Sequence, residues 1–321
     1  MCCSVSPSRC SVIEVRRWLS VSLALLALGA CGAPPVAAQT AAEPVGPVDI
    51  GHGRQLFLQC QGQGSPPVFV IPGKGSYAEV WNVVIPPDDP IRASRFDLIE
   101  QARFVAGPDA VQPTVARTTR ICAYDRPDTR PDGVDRSTPV HQPHTVAQDV
   151  EDLVALLGAA GLDGPFVFAA HSYGGLILDL LARTHPQLVA GIVMVDGVSE
   201  YLMTLGSPAQ NAAFERDSAA PPEPGGEGVL MSDAFARIRD APPLPRVPSI
   251  VLSADKFPAP AAVTPENYTL AQIHAANDLL AAELGTANVV ATGSGHNLML
   301  YQPKFVSDNI IDVVERVRSG G

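Results

Sequence analysis

Phe166-Val-Phe-Ala-Ala-His-Ser172-Tyr-Gly-Gly175 decides the reading of this chain. Five apolar residues, most of them aromatic or β-branched, favour a short strand buried on both faces. A tight turn follows, and then an amphipathic helix begins, so Ser172 stands at a strand-to-helix junction. The same alternation extends outward in both directions. Strand-like runs recur at Gln55–Gln61, Val68–Ile71, Arg120–Tyr124, Phe166–Ala170, Gly191–Val195, Ser249–Ser253 and Asn288–Ala291. Helical spacing of apolar residues lies between them, clearest in Thr145–Ala160 and present in Pro265–Leu284 and Tyr301–Val317. Strands alternating with helices over this length predict an α/β fold: an open, doubly wound, mostly parallel sheet flanked by helices. Residues 197–247 break the rhythm with PPEPGGEG (221–228) and APPLPRVP (241–248), and predict a short cap insertion with two short helical stretches. No internal repeat at a fixed period is evident.

Composition narrows the classes. The 321 residues are 46% hydrophobic, enough to bury a large core. Twenty-two basic against 33 acidic side chains leave a net charge of −11, and Lys74, Lys256 and Lys304 are the only lysines. That balance argues against nucleic-acid binding through phosphate contacts. Arg16 and Arg17 precede an apolar run, Trp18 to Ala30, too short to span a bilayer and suited to a secretory signal. The run ends Leu28-Gly29-Ala30-Cys31, which resembles a bacterial lipobox and implies lipidation of Cys31. The alternative is cleavage near Val36-Ala37-Ala38, and Arg16-Arg17 also resembles a twin-arginine signal; each reading predicts export, membrane-anchored or soluble. Residues 1–31 are therefore expected to be the signal segment, 32–47 a Pro/Ala-rich tether and 48–321 the folded domain. Within that domain Cys60 and Cys122 either form a disulfide, which export permits, or remain two buried thiols.

Four segments carry chemistry. Ala170-His171-Ser172-Tyr173-Gly174 resembles the nucleophile elbow G-x-S-x-G of the α/β-hydrolase superfamily, with Ala170 in place of the first glycine. The resemblance implies Ser172 as nucleophile. Thr292-Gly-Ser-Gly-His296-Asn, after the last strand, is similar to the superfamily's catalytic histidine loop and implies His296 as the base. Six other histidines lie elsewhere; His141 and His144 straddle a proline, with no third ligand near to make a metal site. Two aspartates end strands in the order the superfamily requires. Asp196, 24 residues after Ser172, is favoured as the triad acid, and Asp255 is the alternative; either could instead cap turn amides. Asp125 is read as a partner of Arg126 at a turn. Val70-Ile-Pro-Gly73-Lys74-Gly75-Ser76 occupies the place of the oxyanion loop, which implies the backbone N–H groups of Lys74 and Tyr173 as oxyanion donors.

Four landmarks in the superfamily's order imply a serine hydrolase cleaving a small-molecule carboxylic ester through an acyl-enzyme, with neither cofactor nor metal. Lactonase, amidase or thioesterase action on the same residues stays open, as does a non-catalytic, ligand-binding member of the fold.

Overall fold

The computed structural model describes residues 45–130, 134–221 and 226–320. The expected signal segment, Cys31 and most of the expected tether lie outside these residues.

The strands are β1 (Val45–Gly51), β2 (Arg54–Gln61), β3 (Val68–Ile71), β4 (Val83–Val84), β5 (Val105–Ala106), β6 (Ile121–Asp125), β7 (Phe166–His171), β8 (Val189–Val195), β9 (Ser249–Ala254) and β10 (Asn288–Ala291). The α-helices are α1 (Val111–Val115), α2 (Val146–Ala159), α3 (Gly174–Thr184), α4 (Tyr201–Leu205), α5 (Pro208–Ala219), α6 (Met231–Asp240), α7 (Leu270–Leu284), α8 (Leu298–Tyr301) and α9 (Pro303–Arg318). Eight strands form the main sheet in the order β1-β2-β6-β3-β7-β8-β9-β10. Pairing is antiparallel for β1–β2 and β2–β6 and parallel from β6 through to β10. The doubly wound, mostly parallel architecture is thus as the alternation of runs predicts.

Two apolar layers cover the sheet. On one face α2, α3 and α6 bury Val150, Leu153, Leu176, Ile177, Leu181 and Phe235 against Phe69, Phe168 and Met194. On the other, α1, α8 and α9 bury Val111, Val115, Leu298, Ile310 and Val314 against Val70, Val167 and Val193. Capping boxes start three of the longer helices: Thr145 with Gln148 at α2, Ser207 with Gln210 at α5, and Thr269 with Gln272 at α7.

Several boundaries move. β1 begins at Val45, so the last three residues assigned to the tether are sheet. It is an edge strand with alternate residues exposed, where Pro47 and two glycines are tolerated. The insertion 197–247 carries three helices, α4 to α6, rather than two; α5 (PAQNAAFERDSA) has too few large apolar residues to show a stripe in sequence. The helix expected over Tyr301–Val317 begins at Pro303 as α9, and the short α8, not expected, precedes it. Cys60 and Cys122 are register partners on β2 and β6 and are joined as a disulfide. Among the described residues no helix is long and apolar enough to cross a membrane.

Topology positions the site. The chain leaves β3 to build one side of the sheet and returns through β7 to build the other, so β3 and β7 flank the switch point. The loops after β3, β7, β8 and β10 converge at one sheet edge, where open α/β sheets place their ligands.

Candidate active site

The turn after β7 is backbone against backbone. Ser172 adopts φ 53°, a left-handed conformation that a residue with a side chain takes up only at a cost. Its carbonyl accepts hydrogen bonds from Gly175 N (2.9 Å) and Val198 N (2.9 Å), which fixes the turn to the start of α3 and to the loop after β8. A Cβ at Gly174 would lie 2.4 Å from the Ile71 carbonyl oxygen and 2.8 Å from that of Pro72. A Cβ at Gly73 would lie 2.8 Å from His171 Nδ1 and 2.9 Å from Ser172 Cβ. Glycine on both sides is what lets the loop after β3 touch the turn after β7. The N–H groups of Lys74 and Tyr173 stand on these two segments, and neither has an acceptor among the described residues.

Asp196 follows β8, also left-handed at φ 47°. Its Oδ1 accepts from Ala254 N (3.0 Å), and its Oδ2 accepts from His296 Nδ1 at 2.6 Å. Burial would raise the Asp196 carboxyl, but the bond to His296 and the imidazole's charge outweigh it and hold the group below the ordinary carboxylate range. The reciprocal holds for His296: burial lowers it, the Asp196 bond and charge raise it, and the net shift is upward.

Asp255 does not share this arrangement. Its carboxylate accepts from Gly293 N (2.7 Å) and Ser294 N (2.9 Å), so it shapes the histidine loop through its amides. Of the two candidate acids, the structure brings Asp196 to the imidazole. Asp125 also departs from expectation: it pairs with Arg136 (2.7 Å), whereas Arg126 pairs with Glu227 (2.8 Å). His144 lies against Asp149 (2.9 Å), and no group of three or more metal-ligating side chains occurs among the described residues.

Two further residues hold the histidine loop. Asp97, in an irregular stretch with no sequence signal, accepts from His296 N (2.8 Å) and from the Tyr301 hydroxyl (2.7 Å). His171, the variable position of the elbow, donates from Nε2 to the His296 carbonyl (3.0 Å). Burial, with a smaller contribution from neighbouring His296, pushes His171 down to about 3, so it is neutral and cannot repel a charged His296.

Ser172 and His296 lie where two cavities meet. One, of about 360 Å³, runs under the insertion and is lined by Leu202, Phe214, Tyr268 and Ile273. The other, of about 600 Å³, opens past Lys74, Tyr77, Phe104 and Leu300. Among the described residues Ser172 Oγ makes no hydrogen bond, and Nε2 of His296 is the ring nitrogen not engaged by Asp196.

Comparison with known proteins agrees with this architecture. The chain is 34% identical over 104 residues to Uncharacterized protein C23C11.06c of Schizosaccharomyces pombe, covering 32% of this chain and 18% of the relative. It is 27% identical over 171 residues to the Probable transporter efuK of Hormonema carpetanum, covering 51% of this chain and 20% of the relative. The chain thus spans about a fifth of the length of these curated relatives. Similar folds include Est816, described as an N-acyl homoserine lactone degrading enzyme (TM-score 0.52, 18% identity, 83% of this chain and 99% of that one). A hydrolase from Pseudomonas aeruginosa (0.51, 17%, 85% and 98%) and a thermophilic esterase from Thermogutta terrifontis (0.50, 15%, 85% and 99%) are also alike in fold. Residues 68–309, three quarters of the chain, match the alpha/beta hydrolase family, and the protein belongs to it.

Proposed function

We propose that this family member is a serine hydrolase that cleaves carboxylic esters through an acyl-enzyme. The observation that carries the reading is the 2.6 Å contact between His296 Nδ1 and buried Asp196, beside Ser172 at the meeting point of two cavities. Asp196 keeps the proton on Nδ1, which leaves the Nε2 lone pair free to act as base. Ser172 Oγ gives its proton to Nε2 and bonds to the acyl carbon, and the carbonyl oxygen becomes an oxyanion. The amides of Lys74 and Tyr173 donate to that oxygen. Collapse breaks the ester C–O bond as Nε2–H protonates the leaving alcohol. Water then repeats the sequence and releases the acid, returning the proton to Ser172. The apolar lining under the insertion suits an ester with an apolar arm. Export, with Cys31 as lipid acceptor, is part of the same proposal and rests on the N-terminal sequence alone.

The test is hydrolysis of a p-nitrophenyl ester series by wild type and Ser172→Ala, with fluorophosphonate labelling in parallel. Turnover and labelling that vanish in the variant support the reading. A folded wild type that neither turns over nor labels refutes it and favours a ligand-binding role.

A further inference from the structure

The segment bearing the Lys74 amide is held by a buried ion pair, one half of which comes from the insertion. Arg126, 2% exposed, follows β6. Its guanidinium donates to the carbonyls of Pro72 (2.7 Å) and Gly73 (2.6 Å) and to both oxygens of Glu227 (2.8 and 3.2 Å). Glu227, 1% exposed, lies in the segment between α5 and α6 and accepts from Gly75 N at 2.6 Å. The residues on both sides of Lys74 are therefore fixed by the same pair. Lys74's own ammonium reaches the carbonyls of Asp217 (3.2 Å) and Ala220 (3.3 Å) at the end of α5.

The geometry of one peptide group makes this consequential. The Gly73 carbonyl and the Lys74 N–H belong to the same planar unit, and in a trans peptide they point in opposite directions. The guanidinium on that oxygen (2.6 Å), together with the Ser76 N–H that donates to it (3.1 Å), holds the plane and thus the direction of the Lys74 N–H. It also draws electron density towards the oxygen, which makes the N–H a stronger donor. The second amide is tied to the same network. The Tyr173 ring lies 5.3 Å from the Arg126 guanidinium, and its hydroxyl donates to Asp149 (2.5 Å), which also receives His144 Nε2 (2.9 Å).

The geometry points to Arg126 and Glu227 as positioning residues that aim the Lys74 amide at the oxyanion, so that the insertion is a working part of the oxyanion site. This rests on the serine-hydrolase reading. A closing or opening of the insertion would move Glu227 and the end of α5, and with them the donor. The residues under the insertion therefore bear on kcat as well as on binding.

The experiment compares wild type with Glu227→Gln and Arg126→Lys, each normalised to sites titrated by a fluorophosphonate, so that misfolded protein is not counted. The expected result is a fall in kcat of about 10²-fold or more, the scale of losing one oxyanion donor, with KM changed less than about threefold. The inhibition constant of a trifluoromethyl ketone, which forms the tetrahedral adduct, rises in proportion to the loss in kcat/KM, a response that general loosening would not give. Should both variants fail to fold, Lys74→Met carries the test: it keeps the backbone amide, cuts the link to α5, and lowers kcat about tenfold at unchanged KM. Wild-type kcat per titrated site in Glu227→Gln, or a change confined to KM, overturns the inference alone. A wild type without titratable sites overturns the hydrolase reading with it.

Discussion

Asp196→Asn separates the two aspartates, and the structure fixes which way the new amide must face. Oδ1 of Asp196 accepts the Ala254 N–H, and only an oxygen can stay there. The NH₂ group of an asparagine is then forced into the place of Oδ2, opposite His296 Nδ1. It donates where the carboxylate accepted, so the imidazole proton moves to Nε2 and the lone pair that the proposed mechanism requires is lost. A histidine in the wrong tautomer costs about 10⁴-fold in kcat in such triads, equivalent to about 5.5 kcal/mol at about 1.4 kcal/mol per tenfold. The pH profile carries a second signature. In wild type the bond to Asp196 overrides burial and raises His296, so kcat/KM should rise with pH through an inflection above the ordinary value of about 6.5. Without the carboxylate, burial acts with far less opposition and the inflection of residual activity should move down. Asp255→Asn, which touches only the loop amides, should keep kcat within about tenfold, since its bonds shape the loop without reaching the base. Steady-state kinetics from pH 5 to 9 on both variants decide it. If Asp196→Asn retains a tenth of wild-type kcat/KM while Asp255→Asn loses several orders of magnitude, the reasoning is refuted.

Two other perturbations test the scaffold. Gly174→Ala places a methyl 2.4 Å from the Ile71 carbonyl, so the turn and the loop after β3 must part. A loss of about 1–3 kcal/mol in urea denaturation should accompany a fall in activity, and wild-type values of both would contradict the backbone contact. Breaking the Cys60–Cys122 bridge, which spans 62 residues, by the double alanine substitution should cost about 4 kcal/mol by the loop-entropy argument. Denaturant midpoints measure it, and peptide mapping that finds both thiols free would count against the bridge.

The parts of the site that ride on regular elements were legible in the sequence. β7 and its turn show because a strand buried on both faces must be continuously apolar, and the close approach at Gly174 requires a missing side chain. The histidine loop shows because the β10 run and the helical run from Tyr301 bracket it. The acid was ambiguous because Asp196 and Asp255 both end parallel strands, and only folding reveals that the loop amides claim one while the imidazole claims the other. Asp97 and Glu227 left no local trace. Asp97 meets His296 across 199 residues of sequence, and Glu227 meets Arg126 across 101; each lies in irregular chain whose composition says only that it is a loop. β1 was hidden for the opposite reason, since an edge strand half in solvent need not look like one.

Ser172 and Asp196 are two of the four non-glycine residues described with positive φ, and they follow neighbouring strands at the same sheet edge. Each holds a backbone that glycine would adopt with less strain, at a cost of about 1 kcal/mol or more. Glycine at Ser172 would therefore relax the turn while removing the hydroxyl; at Asp196 the relief is offset by loss of the bonds from Ala254 N and His296 Nδ1. A screen for stability that ignored activity should therefore admit glycine at position 172 sooner than at position 196.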